Sequence, residues 1–505
     1  MDRRQIIVIV IASAAAMAGG SWLASSNPKP GGGGADPFLL QSRGWAHPPD
    51  LDAWKAADRL APGLKPYPDA VPGTPNPAGG LAQYGGRKGS SMGTMALPLP
   101  FAQWMAAMKA QRPSVDAQAK RNLEARFDLS CKTRPGITMS RSKPQPIGPT
   151  ARLPRGFATW EAYNAQSPEE MKRGGAFPWK PLDHPLHSTA HMLFPKQWTD
   201  VHPEHERFDV GFDIPDCFLP EFPPPIYLTT HPELGDVSRG VEITYANYYQ
   251  MFDGLVTLEQ MEGLRLLVTP FQTTWFNITQ HRATEQPSTG VACFSCHVNG
   301  HTNGAIELAP DSRPNYARLR TDTPTMRGNY AQLVLSSKRS IRTMDHFAEV
   351  EEYFDGDPSM MAAIGGRTLT KPQTNRMGDF NSILDFPPAP KLDPLGRLIP
   401  SAATPAELRG EAVFNGKGKC ATCHPPAQHF TDNSMHDLQL ERFYAGRPEG
   451  VIKTFPLRGI KDSPPYFHDG RVLTLEDSVE LFDIALALRL TAAEKADLVA
   501  FLRAL

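Results

Sequence analysis

The sequence predicts a mainly α chain, with two tandem copies of one helical unit behind a proline-rich, irregular N-terminal region. Three observations predict it: two Cys-x-x-Cys-His motifs, a gapless internal repeat downstream of them, and 50 prolines in a chain of 505 residues. The motifs are Cys293-Phe294-Ser295-Cys296-His297 and Cys420-Ala421-Thr422-Cys423-His424. In the repeat, Thr323-Pro324-Thr325-Met326-Arg327-Gly328 lies over Thr454-Phe455-Pro456-Leu457-Arg458-Gly459, and Thr343-Met344-Asp345 over Thr474-Leu475-Glu476. Each copy follows its own cysteine motif, as a duplicated unit requires.

Taken in chain order, Asp2-Arg3-Arg4 precede an uninterrupted apolar and small-residue run from Ile6 to Met17. Ala16-Met17-Ala18 then offers a small-x-small cleavage site. Residues 1–24 read as a signal peptide. Apolar character continues through Trp22 to Ala24, close to the roughly 20 residues that cross a bilayer, so they also read as an N-terminal membrane anchor. Either way the rest of the chain is delivered across a membrane, which places it in the periplasm. Residues 25–37 are rich in Gly, Pro and Ser, have nothing to bury and form a flexible linker.

Residues 38–280 form a Pro-rich region of unknown role, with short helices and loops. Its Cys131 and Cys217 either bridge, as an oxidising compartment allows, or stay as buried thiols. One stronger helix runs from Leu258 to about Phe276, with Met261, Leu264, Leu267 and Val268 at helical spacing. His184, His187, His191, His202 and His205 are dense enough for a metal site. Neighbouring Pro181, Pro185, Pro195 and Pro203 argue against one rigid helix presenting them, so ordinary surface or core histidines are the simpler reading. An iron ligand donated from this segment stays an option.

Residues 281–400 and 401–505 are the two repeated units, divided by the linker Phe386 to Pro400. Thr404-Pro405-Ala406-Glu407 is a capping box with proline at the first helical position, and opens the helix that runs toward Cys420. Thr491 to Glu494 opens a last helix striped by Leu498, Phe501, Leu502 and Leu505. Helix, cysteine motif, long loop and final helix is the order of a cytochrome c-type haem domain. In each motif two thiols can add to the two haem vinyl groups while the adjacent histidine binds the iron as proximal ligand. Zinc or a redox dithiol, the other uses of Cys-x-x-Cys, do not explain two copies each followed by His in an exported, duplicated chain. The expected cofactors are two covalently bound haem c groups, on Cys293, Cys296 and His297 and on Cys420, Cys423 and His424. The 52 basic and 53 acidic residues leave a formal charge of −1, which excludes nucleic acid and anionic membrane as default partners.

Residues from about 281 to 505 resemble the bacterial di-haem cytochrome c peroxidase and MauG superfamily. The resemblance is carried by Pro465-Tyr466-Phe467-His468-Asp469-Gly470, by Thr474-Leu475-Glu476-Asp477-Ser478-Val479, by Phe430-Thr431-Asp432-Asn433 with His436, and by Asp322-Thr323-Pro324-Thr325. It implies two all-α cytochrome c domains whose haems face a shared interface, one iron relaying electrons and the other reacting with peroxide or oxygen species. It also implies a calcium ion between the domains, at Asp322 and the backbones of Ser463 and Pro465; oxygen donors suit calcium. Where these relatives place Met or Tyr on the second iron, this chain has Phe482, which cannot coordinate. That iron is open or takes a ligand such as Met435 or a histidine of the N-terminal region. Ser337 stands at the position of the inter-haem tryptophan, which leaves Trp275, Tyr330 or another ring as an aromatic bridge. Phe347 and Asp357 stand where the peroxidases use Gln and Glu, and Arg313 where they place a distal histidine. Asp357 could shuttle protons and Arg313 could polarise bound peroxide; equally, Asp357 with Glu351, Glu352 and Asp355 is a solvated acidic face. His468 reads as structural or hydrogen-bonding.

The expected function is a periplasmic di-haem oxidoreductase that draws electrons from a small redox protein and delivers them to hydrogen peroxide, dioxygen or an organic substrate. The alternatives are a non-enzymatic electron-transfer cytochrome and a MauG-like oxidase of a large substrate.

Overall fold

The computed structural model describes residues 101–180, 192–206, 211–270, 292–307, 320–337, 341, 343, 344, 346–348, 369–446 and 448–505. The signal segment, the linker, Arg313, Asp357 with its acidic neighbours, Trp275 and the histidines at 184, 187 and 191 lie outside these residues. The described chain is helix-rich with few and short strands, as a cytochrome c-like fold requires. Its longer helices are α1 (Phe101–Glu124), α2 (Leu258–Val268), α3 (Lys371–Asn381), α4 (Pro405–Asn415), α5 (Leu475–Ala485) and α6 (Ala492–Leu502). The strands are β1 (Thr133–Thr138), β2 (Pro144–Pro146), β3 (Met192–Leu193), β4 (Ile306–Glu307), β5 (Thr321–Asp322), β6 (Met435–Asp437) and β7 (Val451–Lys453).

The capping signals act as read. Thr404 accepts from the Glu407 amide while the Glu407 carboxylate accepts from the Thr404 amide, and Thr491 and Glu494 do the same for α6. The same box opens α2, between Thr257 and Gln260.

The repeat in the sequence is a repeat in space. Antiparallel β4–β5 pairs Ile306 with Asp322, and β6–β7 pairs Met435 with Lys453, the repeat counterpart of Asp322. Isolated bridges join Leu335 to Ile341 and Tyr466 to Val472 in the same register of the repeat. Ser336 and Phe467, again counterparts, share a left-handed backbone, an uncommon conformation for residues with side chains. Helix crossings repeat as well. A Cβ on Gly263 of α2 would lie 1.9 Å from the Arg376 carbonyl oxygen of α3, and one on Gly410 of α4 would lie 2.0 Å from the Asp497 carbonyl oxygen of α6. Helix α2 therefore stands to the first copy as α4 does to the second.

The two copies exchange main-chain hydrogen bonds across their seam. The Asp322 amide donates to the His468 carbonyl (2.9 Å), and the Lys453 amide donates to the Ser337 carbonyl (3.0 Å). In the register of the repeat these are one contact made twice with the copies exchanged, the signature of a pseudo-two-fold interface.

The described part of region 38–280 shares its apolar cores with both copies. Leu123, Phe127, Tyr163, Phe177 and Phe218 are buried in one cluster with Phe414, Phe430, Leu481 and Phe501 of the second copy. Ile226, Phe252, Leu264 and Leu267 are buried with Phe294, Met326, Met377 and Phe380 of the first. Polar ties run alongside. Thr150 donates to the buried Asp477 at 2.6 Å, and Asn164 to the buried Asp483 at 2.8 Å. Cys131 and Cys217 form a disulfide within this region. Strand β3 pairs with β4 and so lengthens the first copy's two-stranded ladder.

One carboxylate joins all parts. Buried Asp462 accepts from the Ser140 amide (2.9 Å) and hydroxyl (2.5 Å) and pairs with Arg327 at 3.3 Å. Its main-chain carbonyl accepts from His301 Nε2 at 2.9 Å. Arg327 also donates to the Pro225 carbonyl and lies 5.4 Å from the Tyr227 ring centroid.

Asp462→Ala would leave Arg327 as a buried, unpaired cation, so unfolding by denaturant should show a loss of about 3–5 kcal/mol. Gly263→Ala and Gly410→Ala should each cost about 1–3 kcal/mol through forced helix separation. Gly174→Ala, with open space around it, should stay within about 0.5 kcal/mol of the parent protein in the same assay.

Candidate functional site: two cysteine-histidine motifs facing a polar seam

The first motif lies on a short helix, Cys293–Cys296, capped where the Ala292 amide donates to the Ser295 hydroxyl (3.1 Å). Cys296 is buried and Cys293 half-buried, and neither is in a disulfide. His297 follows immediately, and burial depresses its pKa to about 4 against the opposing carbonyls of Pro324 and His301. The imidazole is thus held neutral, the form that binds a metal.

The second motif spans a short helical turn, Cys420–Thr422, after the left-handed Lys419. Neither Cys420 nor Cys423 is in a disulfide, and burial pushes Cys420 up to about 12. His424 Nδ1 donates to the Phe430 carbonyl at 2.7 Å. That bond fixes the tautomer and leaves Nε2 as the donor atom for a metal, the orientation metal-bound histidines use. Burial lowers the pKa of His424, opposed by the carbonyls of Phe430 and Phe455. Phe455 is the repeat counterpart of Pro324, so each histidine has the same carbonyl beside it.

These residues fit haem c: two thiols outside any disulfide, then a half-buried histidine whose pKa burial lowers, twice, in equivalent surroundings. Cys423, Asp432 and His436 also bring donor atoms within 4.8 Å of one another. A thioether on Cys423 would remove its thiolate from any such metal set, so the two uses exclude each other. Without the ion, Asp432 and His436 already pair at 2.6 Å.

Asp322 and Pro465 approach each other at the seam. Gly470, in the left-handed region, brings them together, since a Cβ there would lie 3.0 Å from Pro465 Cγ and 3.9 Å from Asp322 Cβ. One buried Asp322 oxygen has no hydrogen-bond partner among the described residues. Burial and the nearby Asp469 hold its carboxyl well above the usual carboxylate range. An unpartnered buried carboxylate beside a second one is what a hard cation would relieve.

His468 is buried with Nε2 3.4 Å from Glu449. It joins a buried network in which Arg471 pairs with Asp469 (2.8 Å) and Glu449 (2.6 Å), and Tyr444 donates to Glu449. Phe482 stacks on Phe467 (5.4 Å between centroids). Ser337 is buried at the seam, and Tyr330 packs against Phe386 and His429 while donating to Asp385 at 2.7 Å.

Of the five clustered histidines, His202 and His205 are described. Both stack near Trp198, whose Nε1 donates to His205 Nδ1 at 2.9 Å, and His202 pairs with Glu242 at 3.0 Å. Trp198 and Phe194 pack directly on Cys296 and Val298, so this segment forms a wall of the first motif. Sequence reasoning did not anticipate that wall, nor His301 and Lys453 at the seam.

No profile of a known protein family matches the chain. Among curated proteins it is similar to the methylamine utilization protein MauG of Methylorubrum extorquens, at 32% identity over 122 residues, covering 19% of this chain and 33% of that protein. MauG of Methylophilus methylotrophus is 32% identical over 127 residues, with 21% of this chain and 38% of that protein covered. The cytochrome-c peroxidase IdrP1 of Pseudomonas sp. strain SCT is 26% identical over 155 residues, with 21% and 41% covered. Over these stretches the chain is similar to MauG and to the cytochrome-c peroxidases. It spans a third to two fifths of the length of these relatives. Among solved structures it superposes on a MauG-like protein associated with microbial copper homeostasis at a TM-score of 0.36 and 19% identity, covering 50% of this chain and 90% of that one.

The state of Asp322 gives a signed prediction. Its folded pKa lies above the unfolded value, so its ionisation opposes folding increasingly as pH rises past the unfolded pKa. In chelator at neutral pH, Asp322→Asn should therefore raise the denaturation midpoint relative to the parent protein, and added calcium should reverse the order of the two.

Proposed function

We propose that the chain is an exported di-haem c-type cytochrome of the MauG and peroxidase superfamily, an oxidoreductase that takes electrons from a small redox protein and delivers them to hydrogen peroxide, dioxygen or an organic substrate. The observation that carries this reading is the pairing of the two Cys-x-x-Cys-His motifs by a pseudo-two-fold seam, each with a half-buried histidine whose pKa is lowered. In this reading Cys293 and Cys296 attach one haem and Cys420 and Cys423 the other, with His297 and His424 as proximal ligands. The first cytochrome c unit opens at α2 and the second at α4. When bound, the two irons supply electron transfer and activation of the oxidant.

The protein's own part is to hold and orient. The Phe430 carbonyl sets the His424 tautomer. Trp198 and Phe194 exclude water from the Cys296 side of the first site. Asp322, with the backbones of Ser463 and Pro465, holds a calcium ion that neutralises the buried carboxylates. Arg313 polarises the oxidant and Asp357 handles its protons. Export is supported by the N-terminal charged and apolar segments and by the Cys131–Cys217 disulfide, which an oxidising compartment preserves. No helix among the described residues is long and apolar enough to cross a membrane.

A second reading, an electron-transfer cytochrome without catalysis, draws on the wall that region 38–280 builds against the first motif. Visible and EPR spectra of the oxidised holoprotein separate the two. The oxidoreductase requires a high-spin iron that binds exogenous ligands, together with peroxide turnover. Two low-spin irons that stay low-spin on reduction, with no turnover, would refute it. Asp357→Asn should lower kcat for peroxide by about 10²–10⁴-fold if that carboxylate transfers protons, as measured by donor oxidation at saturating peroxide.

A further inference from the structure

Lys453 is buried, with 4% of its surface exposed, at the seam between the copies. Its amide is tied to the Ser337 carbonyl of the first copy. Its Nζ donates to Gln332 Oε1 of the first copy and lies 4.5 Å from the Phe455 ring centroid. An ammonium has three donor positions and needs an anion when withdrawn from water. Among the described residues no carboxylate pairs with it, and burial alone pushes its pKa down, to about 7. The other buried lysine among the described residues, Lys495, pairs with Glu480 at 2.7 Å. The counterpart of Lys453 in the repeat is Asp322, one of whose carboxylate oxygens is buried without a hydrogen-bond partner among the described residues.

The place of Lys453 identifies its missing partner. Its chain runs directly into Phe455, whose carbonyl lies beside the His424 imidazole. Its ladder partner is Met435 on β6. A side chain this deeply enclosed is out of reach of a diffusing anion, so the counter-charge belongs to a resident group. Resting on the di-haem reading, we propose that Lys453 Nζ is the counter-ion of a haem propionate carboxylate at the seam, and that it sets the potential of that haem. A fixed cation beside a haem favours the reduced form, which carries one positive charge fewer.

The test is a redox titration of the holoprotein followed in the visible bands, with Lys453→Met, Lys453→Gln and Lys453→Arg. Removing the cation should shift the reduction equilibrium of one haem at least tenfold toward the oxidised form, about 59 mV for a one-electron couple. Lys453→Arg should restore it. Resonance Raman should show the propionate bending band of that haem moved in the Met and Gln variants and restored in the Arg variant. Potentials within twofold of the parent in all three variants, or an unmoved band, would overturn the proposal. A pyridine haemochrome assay run alongside keeps the failures apart. Fewer than two haems in the parent protein refutes the di-haem reading, whereas two haems with unmoved potentials refutes only the role of Lys453.

Discussion

The structure turns on two main-chain hydrogen bonds, Asp322 to His468 and Lys453 to Ser337, made across the seam by equivalent residues of the two copies. Each bond ends a short ladder, β4–β5 in one copy and β6–β7 in the other, and each ladder leads within a few residues to the carbonyl beside a motif histidine. Fixing the seam therefore fixes both motifs relative to each other. The cost is burial of the Lys453 side chain and of one unpartnered carboxylate oxygen of Asp322.

Region 38–280 lends rigidity to that arrangement. Its first described part supplies the partners of Asp477 and Asp483 in the second copy, its later part packs into the first, and Ser140 reaches Asp462 between them. The region is thereby bound to both halves and resists any change in their relative position. Its Trp198 and Phe194 also give the first motif an apolar side, and its Leu123, Phe127 and Phe177 belong to the apolar cluster against which Cys420 packs.

Much of this was legible in the sequence. The motifs, the internal repeat, the capping boxes at Thr404 and Thr491 and the start of the helix at Leu258 all have local causes and are present. That helix ends at Val268, where Thr269 turns extended before Pro270, and not at about Phe276. The place of that helix in the first copy was hidden. It ends at Val268, well upstream of Cys293, whereas α4 ends at Asn415, just before Cys420. The intervening insertion conceals the correspondence that Gly263 and Gly410 reveal. The sharing of cores by region 38–280 was hidden too, because its elements are short and burial there comes from long-range packing that no periodicity records. Lys453 was within reach, since the repeat aligns it with Asp322. A lysine in a short strand ordinarily reads as surface, and only its burial marks it as part of the site.

The central claim is that the seam joins two covalent haem sites. Intact mass measurement of the purified holoprotein under denaturing conditions tests it most directly, because thioether-linked haem survives unfolding. The account predicts the polypeptide plus two haems, with peptide mapping placing one on Cys293 and Cys296 and one on Cys420 and Cys423. A bare polypeptide mass, or a metal ion retained only under native conditions, would contradict it.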